Sequence, residues 1–242
     1  MAEYGLIGQK LGYSFSKTFF STKFAQGKLP HTYHNFEIRS PSDIQKVIAE
    51  NPNLKGLNVT IPFKESIIPF LDKVDNEAIQ IGAVNTIKIT NHKKLIGYNT
   101  DCYGFIASLR PFLPLKKRTA LILGTGGASK AVAHALGSMG FSYIVVSRHA
   151  KRAACTYNTL TNKTIQTHFL VVNCTPLGTH PNILECPGIP YHFITKDHLL
   201  YDLVYNPPQT QFMERGALQG ARTTNGMKML RLQAEKAWAI WG

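Results

Sequence analysis

RTALILGTGGASKAVAHALGSMG, residues 118–140, divides into a short apolar run, a glycine turn and a helix-like stretch closed by Gly140. The apolar run is too short for a helix, and the stretch after the turn repeats Ala, Val and Leu at helical spacing. YIVVS (143–147) then supplies a second strand at the distance a strand–helix–strand unit requires. Two further apolar runs, FLVVNCTPLG (169–178) and HLLYDLVYNP (198–207), each pass into polar residues and a proline-containing turn. Strands alternating with helices in this way predict an α/β chain with a doubly wound parallel sheet.

The glycine turn carries chemistry. Gly124 and Gly126 allow a tight turn and bring backbone N–H groups toward a pyrophosphate, which the following helix N-terminus also attracts. Gly127 and Ala128 follow, and Ser129 stands where a GxGxxG pattern has its third glycine. A dinucleotide cofactor is expected. Sites that prefer NAD place an acid at the end of the second strand, on the ribose hydroxyl. This chain has Ser147, Arg148 and His149 there, then Lys151 and Arg152. A guanidinium beside a hydroxyl suits a 2′-phosphate, so NADP is expected over NAD.

Toward the N-terminus, YGLIG (4–8), the Tyr33, Phe36, Ile38 region and GLNVTIP (56–62) read as strands, with SPSDIQKVIAEN (40–51) as a helix between the last two. That order predicts a mostly parallel sheet, extended by a hairpin of NTIKI and KLIGYN around NHK. At the C-terminus, residues 225–241 place Met227, Leu230, Ala234, Ala237, Trp238 and Trp241 on one helical stripe that another element must cover.

Composition narrows the function classes. A 44% hydrophobic share over 242 residues supports a proper core. No basic-then-apolar leader opens the chain and no apolar run spans a bilayer, so a cytoplasmic protein away from membranes is expected. The four cysteines form no CxxC pair and the nine histidines no HExxH, so no metal is expected. The net charge of +13 raises a nucleic-acid partner, but the basic residues are dispersed and no recognition signature accompanies them. A small anionic substrate and a phosphate-rich cofactor suit the same charge.

NVTIPFKE (58–65) sets Lys64 just past the end of a strand. GAVNT (82–86) and GYNTD (97–101) bracket the hairpin, so Asn85 and Asp101 are expected at one sheet edge. Lys64 joins them if its strand ends there. Ser14 and Ser16 lie two apart, so in an extended segment their hydroxyls face one way and could hold a carboxylate together.

Taken together, these segments resemble the shikimate dehydrogenase family. The matches are SFS at 14–16, NVTIPFK at 58–64, GAVNT at 82–86, NTD at 99–101 and GTGGA at 124–128. They continue with NCTPLG at 173–178, DLVYNP at 202–207 and NGMKMLRLQA at 225–234, covering nearly the whole chain in order. The resemblance implies reversible, NADPH-dependent reduction of 3-dehydroshikimate to shikimate. It implies a substrate domain of residues 1–103 completed by the helix 226–242, which returns to it, and a Rossmann-like NADP domain of residues 104–225.

Carried over by motif, Ser14 and Ser16 bind the substrate carboxylate, helped by Thr60 and Tyr205, while Asn85 and Gln233 meet the ring oxygens. Lys64 is implied as the principal catalytic residue, paired with Asp101. Gly124, Thr125, Gly126, Gly127, Ala128, Ser147, Arg148, Thr175, Leu203 and Gly226 are implied around the cofactor. The chain departs from the family pattern at Tyr13, Lys17, Ser147 and His149, and it runs short over 149–168, where a strand or helix at the domain edge is expected to be reduced or missing. Three competing readings are a quinate/shikimate dehydrogenase using NAD, a catalytically silent NADP-binding regulator and a nucleic-acid binder. The oligomeric state stays open between monomer and homodimer.

Overall fold

The computed structural model describes residues 1–12, 14–153 and 155–242. They form two units, Met1–Thr100 with Ala234–Gly242, and Asp101–Gln233.

The first unit runs β1 (Glu3–Gly8), α1 (Phe15–Gln26), β2 (Thr32–Glu37), α2 (Ile44–Glu50), β3 (Leu54–Val59), β4 (Lys73–Val74), α3 (Asn76–Ile81), β5 (Thr86–Ile89) and β6 (Leu95–Tyr98). Its six-stranded sheet has the order β2-β1-β3-β5-β6-β4. β1 pairs in parallel with β2 and β3, whereas β5 is antiparallel to both β3 and β6. The two-residue period of a strand sends side chains to opposite faces. Ile7, Leu57 and Val59 join one core with Ile44 and Val47 of α2. Tyr4, Leu6 and Tyr33 join another with Phe20 and Phe24 of α1.

In the second unit, α4 (Asp101–Leu109) is followed by β7 (Thr119–Leu123), α5 (Gly127–Ser138), β8 (Ser142–Ser147), β9 (Cys155–Thr156) and α6 (Asn162–Thr167). β10 (Leu170–Asn173), β11 (Leu199–Asp202), α7 (Gln211–Leu218), β12 (Arg222–Thr224) and α8 (Met227–Trp241) complete it, the end of α8 belonging to the first unit. The strand order β12-β11-β10-β7-β8-β9 is all parallel, so the order reverses beside β7, at the glycine turn. Such a switch point opens a crevice at the carboxyl ends of the strands. The strands are near-continuous apolar runs because both faces are covered. Leu121, Leu123, Val146, Val171 and Leu200 are buried against Ile165 of α6 and Phe212 of α7.

Outside the site, the structure differs from the sequence expectations at three places. β3 ends at Val59 rather than running on to Pro62. The Phe63 N–H bonds the Thr60 carbonyl, which turns the chain and leaves Ile61 70% exposed. Residues 40–51 open with a single 3-10 turn, Pro41–Asp43, because Ser40 and Asp43 form a capping box ahead of α2. In α8 the buried residues are Met229, Ala234, Ala237 and Trp241, not Met227 or Leu230. The first half of that helix packs on α4, where Gly104 lies close to the Met229 carbonyl, and its second half on the first sheet, so its apolar stripe is not straight.

At the edge where the sequence runs short, β9 is reduced to two residues, only residues 148–154 link it to its parallel neighbour β8, and the described ones contain one 3-10 turn, Ala150–Arg152. A parallel crossover ordinarily takes on the order of a dozen residues with a helix. On the flank of α5 where that helix would run, an apolar groove is lined by Ala133, Tyr143, Ile144 and Val145.

Trp241 holds the end of α8 in the first unit. Its Nε1–H donates to the Ile87 carbonyl at 3.0 Å, and its ring stacks on Tyr4 with centroids 5.0 Å apart. Trp241→Ala removes both and opens a large cavity, so chemical denaturation should register a loss of roughly 3–5 kcal/mol.

Candidate active site

Antiparallel pairing of β5 with β3 and β6 brings the start of β5 and the ends of the other two to one edge. Asn85 stands there, 3% exposed. Its Oδ1 accepts the Thr100 backbone N–H at 2.7 Å and its Nδ2 donates to the Thr100 hydroxyl at 3.0 Å. Its main chain accepts the Val59 N–H and donates to the Tyr98 carbonyl. Asn99 adds an Nδ2 bond to the Ala83 carbonyl. Lys64, half-buried on the turn after β3, is tied to the same edge by its carbonyl, which accepts the Val84 N–H at 2.7 Å. Thr60 lies on that turn too, its N–H on the Ile7 carbonyl.

The serine pair is placed differently from the extended segment expected. Ser14 alone is extended, and it is the N-cap of α1, its Oγ accepting the Lys17 N–H at 3.2 Å. Ser16 already lies in the first helical turn. A serine followed by a run that can turn helically satisfies an orphan N–H, and the helix therefore starts at Phe15. Both hydroxyls stand at a helix N-terminus, a favourable place for an anion. Tyr13 lies outside the described residues.

Beneath α1, Phe20 stacks on Tyr33 with ring centroids 4.8 Å apart. Burial holds that phenol well above its ordinary pKa, with Ser16 opposing, so Tyr33 stays a proton donor. It donates to Asn58 Oδ1 at 2.8 Å, and Asn58 Nδ2 donates to the Asn85 carbonyl and the Thr86 hydroxyl, each at 3.3 Å. Tyr33 carried no signal beyond an apolar strand position in the sequence.

In the second unit, Asp101 is the next residue after Thr100 and opens α4, where the helix dipole favours a carboxylate; it is 1% exposed. Gly104, on the same face one turn on, packs against the Gln233 backbone and Cβ. Tyr205 is half-buried after β11.

At the carboxyl edge of the parallel sheet, Gly124 has φ +115°, which favours glycine, and its N–H bonds the Val146 carbonyl. Ser129, in place of a third glycine, ties helix to turn by donating to the Gly124 carbonyl at 2.6 Å. Gly126 is the N-cap of α5 without a side-chain cap, and a Cβ there would meet nothing within 4 Å. The protein's own packing does not require glycine at 126, whereas a phosphate drawn up to the N–H groups of Gly127 and Ala128 would. The turn with Thr125 therefore fits a dinucleotide. Buried Ser147 accepts the His149 N–H, and Arg148 is exposed beside it. The side chain of Arg152 lies outside the described residues.

A buried network shapes the loops after β10 and β11. Asn173 Oδ1 accepts the N–H and hydroxyl of Thr175, and Asn173 Nδ2 donates to Asp202 Oδ1 at 2.9 Å. Asp202 also accepts the Val204 N–H and the Thr210 hydroxyl. Burial pushes the Asp202 carboxyl up to about 6 despite these donors. Leu203 and Gly226 meet backbone to backbone, since a Cβ on Gly226 would overlap the Leu203 carbonyl. Burial raises the Cys174 thiol far above its ordinary range, which makes it a poor nucleophile. Tyr157 carries a buried hydroxyl that has no hydrogen-bond partner among the described residues, and burial pushes its pKa up to about 12, with the Arg148 guanidinium opposing.

The fold and these edges define a dinucleotide-dependent α/β oxidoreductase. Residues 6–87 match the shikimate dehydrogenase substrate binding domain. The chain is 38% identical to the shikimate dehydrogenase (NADP(+)) of Halothermothrix orenii, over 98% of this chain and 89% of the relative. Shikimate dehydrogenase 1 of Peptoclostridium difficile superimposes with a TM-score of 0.86 at 33% identity, covering 100% of this chain and 91% of that one. The shikimate 5-dehydrogenase of Thermus thermophilus, solved in complex with NADP(H) and shikimate, gives 0.87 at 29%, covering 100% and 93%. The chain belongs to the shikimate dehydrogenase family.

Two glycines should separate packing from ligand. Gly226→Ala should lower stability by about 1–3 kcal/mol, since backbone must move. Gly126→Ala should leave the thermal midpoint within a degree or two but weaken NADPH in a fluorescence titration by at least about tenfold. Asp202 gives a pH signature. Its folded pKa of about 6 lies above the unfolded value, so the fold binds an extra proton in between and stability falls as pH rises from about 4 to about 6. Denaturation midpoints of Asp202→Asn should lack this slope, worth on the order of 3 kcal/mol.

Proposed function

We propose that this chain is an NADP-dependent shikimate dehydrogenase, reversibly reducing 3-dehydroshikimate to shikimate on the route to aromatic amino acids. The observation that carries the reading is the buried polar edge on which Asn85 binds Thr100, with the Lys64 carbonyl bonded to the N–H of the adjoining Val84 and Asp101 next to Thr100 in the chain.

NADPH, when bound, supplies the hydride. The chain's residues then manage the oxygen of the carbonyl. Negative charge builds there as its carbon is reduced, and the Lys64 ammonium both stabilises that charge and gives the proton that completes the hydroxyl. In the reverse direction Lys64 takes the proton back, with Asp101 as its partner. Asn85 offers a fixed amide to the ring hydroxyls because its orientation is locked by Thr100. Gln233 serves the same ring.

Ser14 and Ser16 take the substrate carboxylate, assisted by Thr60 and Tyr205. Their place at the start of α1 supports this role, because the helix dipole adds to two hydroxyl donors. The turn Gly124–Ala128, with Thr125, Thr175, Leu203 and Gly226, cradles the cofactor, and Ser147 with Arg148 reads its 2′-phosphate. The excess of basic residues matches an anionic substrate and a polyphosphate cofactor rather than a nucleic acid. Among the described residues no helix is long and apolar enough to cross a membrane.

Initial rates of shikimate oxidation with NADP⁺ and NAD⁺ in parallel, and quinate as second substrate, test the reading. Turnover of shikimate with NADP⁺ and little with NAD⁺ is expected. Fast quinate oxidation with NAD⁺ would favour the quinate/shikimate alternative, and NADPH binding without turnover a silent regulator. Lys64→Ala should lower kcat by about a hundredfold or more with a smaller change in KM. Arg148→Ala should weaken NADP⁺ by about tenfold or more while leaving NAD⁺ nearly unchanged.

A further inference from the structure

We infer that Asn35 and Glu37 of β2 are positioning residues for the substrate carboxylate: their side chains grip the Leu11 main chain and so fix the loop that delivers Ser14 and Ser16. The inference rests on the reading of those serines as ligands of the carboxylate.

The geometry begins with strand alternation. Tyr33, Asn35 and Glu37 fall on one face of β2, the face that packs under α1, while Phe36 and Ile38 turn to the opposite core. A crossover helix runs back against its strands, so the carboxyl end of β2 lies beside the start of α1. Tyr33 therefore meets the helix at Phe20, whereas Asn35 and Glu37 meet the loop ahead of it.

That loop is pinned at Leu11. Its N–H donates to Glu37 Oε1 at 2.7 Å, and its carbonyl accepts Asn35 Nδ2 at 3.1 Å. Both main-chain groups of a residue outside any ladder are thus satisfied by side chains of one strand. The Leu11 side chain is buried in the core that holds Tyr4 and Phe20. A Cβ on Gly8, the last residue of β1 and the register partner of Glu37, would overlap both the Leu11 side chain and the Thr60 methyl. Leu11 and Thr60 therefore close over the same point, and the N-cap Ser14 stands three positions beyond Leu11.

The residue types fit a mounting role. The Leu11 carbonyl can only accept, so the Asn35 amide nitrogen faces it, which leaves Asn35 Oδ1 buried with no hydrogen-bond partner among the described residues. An unpaired buried oxygen costs stability, so packing does not account for Asn35, whereas its hold on Leu11 does. Glu37 is exposed on the edge strand and adds a charge-assisted bond to the opposite group of the same residue.

Glu37→Ala, Asn35→Ala and Glu37→Gln test the role, each checked by thermal unfolding. KM and kcat are measured for shikimate, and its methyl ester, which lacks the negative carboxylate, is measured as a competitive inhibitor. Both alanine variants should raise the shikimate KM about tenfold, with kcat and the inhibition constant of the ester within about twofold of the parent. Glu37→Gln keeps an acceptor oxygen and should restore KM to within about threefold. Equal losses for acid and ester, or no loss for the acid, would overturn the positioning role. The double variant Ser14→Ala with Ser16→Ala separates the two readings. If it loses the acid selectively and Glu37→Ala does not, the positioning role alone is wrong; if it loses neither ligand, the serine reading falls and the inference with it. Asn35→Ala also deletes the unpaired oxygen, so it supplies the comparison if Glu37→Ala does not fold.

Discussion

One buried amide sets the edge from which this protein works. Asn85 joins the ends of β3 and β6 to the start of β5 through its main chain, and its side chain fastens Thr100 by two groups at once. A buried amide left unpaired is costly, so each of these bonds constrains the others. The turn bearing Lys64 hangs from the neighbouring Val84 N–H, and the helix opened by Asp101 starts one residue past the clamp. A slip of either strand by one residue would carry the whole arrangement to the other face.

The second unit solves a comparable problem with a carboxylate. Asn173 and Asp202 are direct neighbours across β10 and β11, and their side chains bind each other and both following loops. Keeping a carboxylate buried raises its pKa, and three donors limit that cost. The same unit dispenses with a crossover helix between β8 and β9 yet keeps the strand order that creates the switch point at the glycine turn. A crossover helix there would serve the edge alone, whereas the glycine turn depends on β7, α5 and β8, which are intact.

Much of this was legible in the residues. The glycine turn between an apolar strand and a helix located the parallel sheet, and the bracketing of the hairpin by GAVNT and GYNTD pointed Asn85 and Asp101 to one edge, because an antiparallel pair must bring its outer ends together; that the partner of Asn85 is Thr100, one residue before Asp101, came from the structure. The serine pair reads as extended from sequence, since a capping serine and a strand serine look alike until the next turn is known to be helical. The α8 stripe was read as straight, whereas Met229 faces one neighbour and Trp241 another.

The sequence by itself determined the class of fold, the cofactor turn and the family, because these rest on local spacing and on residue types that few other structures require. Only the tertiary structure decided that Ser14 and Ser16 stand at a helix N-terminus and that Tyr33 donates to Asn58. The Tyr33–Asn58 bond spans 25 positions of chain, where register and burial choose the partner and no local pattern records the choice.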